Sequence, residues 1–508
     1  MPNDAATAQG ASSISQEMAK GTGWMVAARL SVQGIGLLST IILARLLLPS
    51  DFGLVALATT FSVALQSISE FSFDVVLIQN QRATREDYDT AWTLSVCRNL
   101  LLAVFLVIGA KWLADIFADQ RLETVIYWLA LGTAVDGLQN IGITDFRKDL
   151  AFHRDLIFSV LGKLGGFVVT VPLAFIWQNY WALVAGILAG SVLRLILSFT
   201  MHPFRPRVCF TKWRELMHFS KWLLLNNISF LLASRSDTFI LGKISGARAV
   251  GVYSVAFEIA NLTAANLLAP LRRAIFPGYA KLADDIVALR KGFMDVLGFV
   301  WLIGTPLAVG IGAVAGPLVR VALGDQWLDA IPLIQVLSLY GFLSLVTAGS
   351  SPIYLATGRP RYILLTKLAS IIVMIPLLVA GTRYAGPLGA AWAVTIAAFV
   401  EAAADFVLIV RLLKLSVRSI IASGYRPVVA SGFMAAAVLE FQLFWSPPAD
   451  TLGWAILLAA SVMLGAIVYV AITLMLWAQS GLGDGAERHV EMILRGAWAN
   501  LLKRRSPT

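Results

Sequence analysis

The stretch Ile42-Leu43-Ala44-Arg45-Leu46-Leu47-Leu48-Pro49-Ser50-Asp51-Phe52-Gly53-Leu54 closes one apolar run and opens the next, and its pattern returns later in the chain. Ile42-Leu43-Ala44-Arg45 aligns without a gap on Ile240-Leu241-Gly242-Lys243, Phe52-Gly53-Leu54 on Val250-Gly251-Val252, and Trp24 on Trp222. The offset of 198 residues encloses six apolar runs. Each is about 20 residues, long enough at 1.5 Å per residue to cross a hydrocarbon core of about 30 Å. An even number of crossings returns the chain to its starting side, so the two halves are expected to run parallel about an axis along the membrane normal.

Working outward from the repeat, apolar windows place helices near 21–47, 52–79, 88–111, 124–146, 156–177, 180–200, 219–243, 250–276, 292–315, 329–356, 362–383, 387–411, 427–445 and 452–478. Pro49-Ser50-Asp51, Gln178-Asn179-Tyr180, Gly358-Arg359-Pro360, Gly386-Pro387 and Ser446-Pro447-Pro448 punctuate them. The expected fold is an all-α integral membrane protein of about fourteen transmembrane helices: two six-helix bundles related by pseudo-two-fold symmetry, plus two extra C-terminal helices. The parts are a cytoplasmic segment 1–20, a first bundle 21–200, a cytoplasmic linker 201–218, a second bundle 219–411, helices thirteen and fourteen within 412–478, and a basic amphipathic tail 479–508. In that tail Trp498, Leu501 and Leu502 lie among basic residues, as in a helix resting on anionic lipid.

Composition agrees, because 58% of the 508 residues are hydrophobic, 14% are charged and the mean hydropathy is +0.77. One soluble core cannot bury that much apolar surface, so the bilayer is the solvent. The polar first 20 residues lack the pattern of a cleaved secretory signal, and the first helix is expected to stay as an anchor. With the N-terminus inside, 28 of the 40 Lys and Arg residues fall in cytoplasmic segments, 7 in outer segments and 5 within the membrane. That asymmetry predicts cytoplasmic N- and C-termini in a multi-pass bacterial inner-membrane protein. The net charge of +10 follows from this topology; no basic stripe suited to nucleic acid forms. Cys97, in an apolar run, and Cys209, in a basic loop, are read as structural.

The chain resembles the polysaccharide transport family, the O-antigen and exopolysaccharide flippases, of the multidrug/oligosaccharidyl-lipid/polysaccharide exporter superfamily. Residues 42–53 carry the resemblance, together with Arg235-Ser236-Asp237-Thr238-Phe239-Ile240-Leu241-Gly242 and Gly251-Val252-Tyr253-Ser254. It covers nearly the whole chain. It implies two six-helix bundles around a central cavity of alternating opening, with an undecaprenyl-pyrophosphate-linked oligosaccharide repeat unit, destined for O-antigen, capsule or exopolysaccharide, as the substrate. The partners expected with it are membrane lipids, a polysaccharide polymerase and a chain-length regulator.

Ionisable side chains at membrane depth cost at least about 2.5–3.5 kcal/mol each on insertion scales, so they mark cavities or partners. The five intramembrane cations are Arg29, Arg98, Lys163, Arg194 and Arg235. The first four belong to the first bundle and are candidates for the substrate pyrophosphate, which Arg binds bidentately and Lys as a point charge. The alternative is that Arg194 and Lys163 snorkel to the interface and that Arg29 pairs with Glu70 or Asp74. Arg235, Asp237, Glu258 and Glu401 are candidates for gating or ion coupling, with Arg235 and Glu258 at similar depth. Glu401 and Asp405 stand one turn apart. Pro172, Pro306, Pro376 and the pairs Gly34/Gly36 and Gly165/Gly166 are either hinges or close-packing points.

Nothing points to an enzyme or to a cofactor. Gly162-Lys163 and Gly242-Lys243 lack the upstream glycine of a P-loop, and the four histidines lack metal-ligand spacing. Asp87-Tyr88-Asp89, similar to the acidic pair of sugar-nucleotide transferases, sits in a short loop and is read as chance. Two other functions compete. A cation-coupled drug exporter calls for an acidic or apolar cavity, whereas this bundle is cationic. A membrane polysaccharide polymerase or ligase calls for a long periplasmic loop, and no outer loop here exceeds about 15 residues.

Overall fold

The computed structural model of the protein describes residues 3–69, 73–445, 450–480 and 488. Glu70, the break at Ser446-Pro447-Pro448 and the tail residues Trp498, Leu501 and Leu502 lie outside them. The described residues are almost all helical and include no strand. The helices are α1 (Asn3–Leu46), α2 (Pro49–Ile68), α3 (Phe73–Gln79), α4 (Arg85–Phe117), α5 (Arg121–Gly137), α6 (Asp145–Lys148), α7 (Phe152–Trp177) and α8 (Trp181–Met201). They continue as α9 (Trp213–Lys281), α10 (Ile286–Ala313), α11 (Ala315–Ala322), α12 (Ala330–Val346), α13 (Ser350–Ala356), α14 (Arg361–Leu413), α15 (Val417–Phe444) and α16 (Thr451–Gln479). Among the described residues nine helices are long and apolar enough to cross a membrane.

Local chemistry explains where the helices start and stop. Pro49, the first residue of α2, has no amide hydrogen to lose there, and the Leu48 N–H donates to Asp51 Oδ2 at 3.1 Å. Gln178 ends α7 in a left-handed conformation (φ 49°), and Asn179 Oδ1 accepts from the Trp181 N–H at 3.0 Å to start α8. Asp285 and Ser416 cap α10 and α15 through their side chains, so these helices begin earlier than the expected 292 and 427.

Three expected helices are interrupted. The run 52–79 divides into α2 and α3. The run 329–356 divides into α12 and α13 around a tight turn at Thr347–Gly349. The run 124–146 stops at Gly137, because the buried Asn140 builds a turn instead. Its Oδ1 accepts from the Gly142 N–H at 2.9 Å, its Nδ2 donates to the Phe204 carbonyl at 2.7 Å, and its own N–H donates to Ser198 Oγ at 2.9 Å.

Two joints fall where expected. α9 runs through the 243/250 junction with one non-helical residue, Gly246 (φ 79°), and α14 breaks at Ala385 and Gly386 (φ 56°) between the expected 383 and 387. Only glycine takes these positive φ values without strain. The chain stays helical through Pro172, Pro306 and Pro376.

The chain divides into two compact units, Met1–Ser254 and Val255–Thr508. The boundary lies beyond the expected 201–218 linker because residues after it pack back on the first bundle. A Cβ on Gly53 would lie 1.7 Å from the Ala247 carbonyl oxygen, and one on Gly251 would lie 1.8 Å from that of Pro49. In the first unit α7 lies against α8 and α1, and α5 against α4 and α8. In the second, Tyr279, Leu289, Phe293, Tyr354, Ile409 and Leu413 form one buried cluster. Ile108, Ile176 and Ile372 are each about 70% exposed, as suits an apolar solvent.

Candidate functional site

The α7–α8 contact is made by small residues. Gly162, Gly166 and Thr170 on one helix face Gly186 and Gly190 on the other, and a Cβ on Gly186 would stand 1.5 Å from Thr170 Oγ1. Beside this contact a cavity of about 270 Å³ is lined by Ser39 from α1, by Lys163 and by Arg194. Two sequence candidates therefore share one cavity. Gly162 also makes room for a cation: a Cβ there would sit 2.7 Å from Arg194 Cγ. Gly165 and Gly166 are thus close-packing points, a Cβ on Gly165 lying 2.2 Å from Leu193 Cδ2 and one on Gly166 3.0 Å from the Gly186 oxygen, whereas Gly34 and Gly36 have room to spare.

Arg194 is held in place from α5. Its Nη2 donates to Asp136 Oδ1 and to Ser191 Oγ, each at 3.1 Å. Asp136 also accepts from Gln139 Nε2 at 2.8 Å and lines a second cavity of about 250 Å³, shared with Asp74, Arg98, Asn99, Arg147 and Asp155. There Arg147 pairs with Asp155 at 3.1 Å and approaches Asp74 at 3.8 Å. Three aspartates against two arginines make this second cavity mixed in charge. The structure brings Lys163 and Arg194 together and joins them to the Arg98 cavity through Asp136. Arg29 is exposed on α1 and lines neither cavity.

The coupling candidates belong to both units. Glu401 takes both its oxygens to Lys367 Nζ, at 2.8 and 2.9 Å. Its neighbour Asp405 is buried and accepts from Tyr354 Oη at 3.0 Å. Asp237 accepts from Tyr253 Oη at 2.8 Å and from its neighbour Thr238 N–H at 2.7 Å. Arg235 belongs to the first unit and Glu258 to the second, and both are exposed.

Asp87-Tyr88-Asp89, read from sequence as chance, has a structural task. Lys212 Nζ pairs with Asp87 at 2.9 Å, the Arg207 N–H donates to Asp89 Oδ1 at 2.8 Å, and Tyr88 donates to Asp145. Both aspartates are buried, and they dock the extended 202–212 segment on the start of α4. His202 anchors the same segment. Its Nδ1 accepts from the Phe204 N–H at 3.2 Å and its Nε2 lies 3.4 Å from Asp145 Oδ2. A neutral ring protonated at Nε2 satisfies both contacts. Burial holds the His202 pKa below its ordinary value, outweighing the pull of the Asp145 carboxylate.

By structure the chain is similar to the lipid II flippase MurJ in an inward closed conformation, with a TM-score of 0.72 at 12% identity over 89% of this chain and 98% of that one. It is also similar to an inward-facing multidrug resistance MATE transporter (TM-score 0.54, 17% identity, 78% and 95% covered). At such identities the likeness concerns the fold. By sequence it is 25% identical to the lipopolysaccharide biosynthesis protein WzxC of Escherichia coli K12, over 74% of this chain and 77% of that protein. It is 22% identical to the teichuronic acid biosynthesis protein TuaB of Bacillus subtilis 168, over 92% and 97%. The family described as polysaccharide biosynthesis protein matches residues 42–332, more than half of the chain, and this multi-pass membrane protein belongs to that family.

Proposed function

We propose that the protein is a flippase of the bacterial inner membrane, carrying undecaprenyl-pyrophosphate-linked oligosaccharide repeat units from the cytoplasmic to the periplasmic face by alternating access. The observation that carries this reading is the shared cavity of Lys163 and Arg194, two cations on helices long and apolar enough to cross a membrane. A point charge and a guanidinium together suit a compact phosphate dianion. Arg98, in the adjoining cavity, takes part in the same headgroup site, and Arg29 stands on the approach along α1. The relatives add support: one is described as a succinoglycan biosynthesis transport protein, of Rhizobium meliloti (22% identity over 63% of this chain), and the MurJ fold carries a lipid flippase.

In this reading the protein performs no covalent chemistry and delivers its product to a polymerase. Both termini face the cytoplasm. Glu401, with Arg235, Asp237 and Glu258, serves gating or ion coupling. The test is made in cells that lack the chain and so fail to export the polymer. The wild type restores export, whereas K163A and R194A, accumulating normally in the membrane, restore little. Full export by both variants would remove the basis of the assignment.

A further inference from the structure

We propose that Asp136 is an internal competitor of the substrate phosphates for Arg194, holding the guanidinium while the site is empty and reclaiming it as the headgroup leaves. The proposal rests on the flippase reading and names a positioning residue within it.

Three features carry the argument. Asp136 reaches both cavities, lining that of Arg98 and bonding the arginine that lines that of Lys163. The pair is accessible: 36% of the Arg194 side chain and 32% of the Asp136 side chain are exposed, so the bond can open without burying a lone charge. Finally, the contact uses Nη2 alone, so Nε and Nη1 take no part in it.

An arginine offers phosphate two parallel hydrogen bonds, and a pyrophosphate carries more charge than one carboxylate. The incoming headgroup therefore displaces Asp136 from Arg194. Gln139, which donates to Asp136 Oδ1 at 2.8 Å, keeps the displaced carboxylate near its arginine. When the phosphates begin to depart, Asp136 re-forms the pair. Tight headgroup binding thus does not become slow product release, a step that commonly limits turnover in transporting and catalytic cycles. A cationic site with no such competitor would bind better and work more slowly.

The test measures binding of undecaprenyl pyrophosphate to the full protein in nanodiscs and turnover of a lipid-linked oligosaccharide in proteoliposomes. D136N is expected to bind the probe about tenfold more tightly, with turnover slowed by a similar factor, as expected from one charge-assisted hydrogen bond. D136E, which keeps the competing charge, stays near the wild type in both. Where D136N fails to accumulate, D136S is read in its place with the same expectation. A purely structural pair predicts lower thermal stability with binding unchanged or weaker, and that result overturns the proposal. If the wild type does not bind the probe, the flippase reading falls and this inference with it. Binding by the wild type with an unchanged dissociation constant in D136N and D136S overturns this inference alone.

Discussion

Gly53 and Gly251, equivalent positions of the internal repeat, pack on one another reciprocally. A Cβ on Gly53 would lie 1.7 Å from the Ala247 oxygen and 2.8 Å from the Gly251 nitrogen; one on Gly251 would lie 1.8 Å from the Pro49 oxygen and 2.9 Å from the Gly53 nitrogen. Pro49 and Ala247 are themselves related by the same 198-residue offset. Two copies of one sequence pattern therefore meet about a local two-fold axis, backbone against backbone, where any side chain would intervene. G53A and G251A are each expected to cost about 1–3 kcal/mol through overpacking. Because one shift of the two segments relieves both clashes, the double variant is expected to cost less than the two singles added. Thermal unfolding of the four proteins in detergent measures this, and single variants as stable as the wild type would show that the contact is not tight.

The second prediction concerns pH at the 202–212 segment. His202 is held neutral, its pKa lowered from 6.5 by burial. Above 6.5 neither the folded nor the released ring carries a proton, and the anchor has its full strength. As the pH falls below 6.5 the released ring binds a proton first, so the anchor weakens until the folded pKa is passed. The protection of the amides of residues 202–212, taken as each exchange rate relative to the intrinsic rate at the same pH, should fall as the pH drops across that window, and H202Q should remove this dependence. Protection that rises on acidification would reverse the sign and contradict the neutral assignment.

A third concerns Glu401. Its two bonds to Lys367 join the two arms of α14 across the Gly386 break. E401Q is expected to weaken gradient-driven transport while the protein still accumulates, with K367M/E401Q recovering stability but not coupling. Transport in sealed vesicles is the measurement. If the double variant responds to the pH gradient as the wild type does, the pair is structural.

The sequence showed the joints better than the site. Gly246 and Gly386 lie at polar breaks between apolar runs, and both proved to be the non-helical residues that divide a long helix. The repeat aligned Gly53 with Gly251, but that their backbones meet is visible only in the folded chain. Lys163 and Arg194 were visible as charges out of place in apolar helices. Asp136 was not, since it stands 58 residues from the arginine it holds and near a helix end, where an aspartate is unremarkable. Asp87 and Asp89 were dismissed for the same reason: their partners, Lys212 and Arg207, are more than 100 residues away, and only the folded chain makes the pattern a docking site.

Translocation of a labelled undecaprenyl-pyrophosphate-linked oligosaccharide in proteoliposomes containing the purified protein tests the flippase assignment head-on. Sugar placed in one leaflet is expected to become accessible on the opposite side. R98A, K163A and R194A should require about tenfold to a hundredfold more substrate for the same rate, with the lysine replacements of the two arginines intermediate. Wild-type vesicles that leave the sugar where it was placed would show that the protein is not a flippase of this substrate, and alanine variants that move it at the wild-type rate would remove these cations from the site.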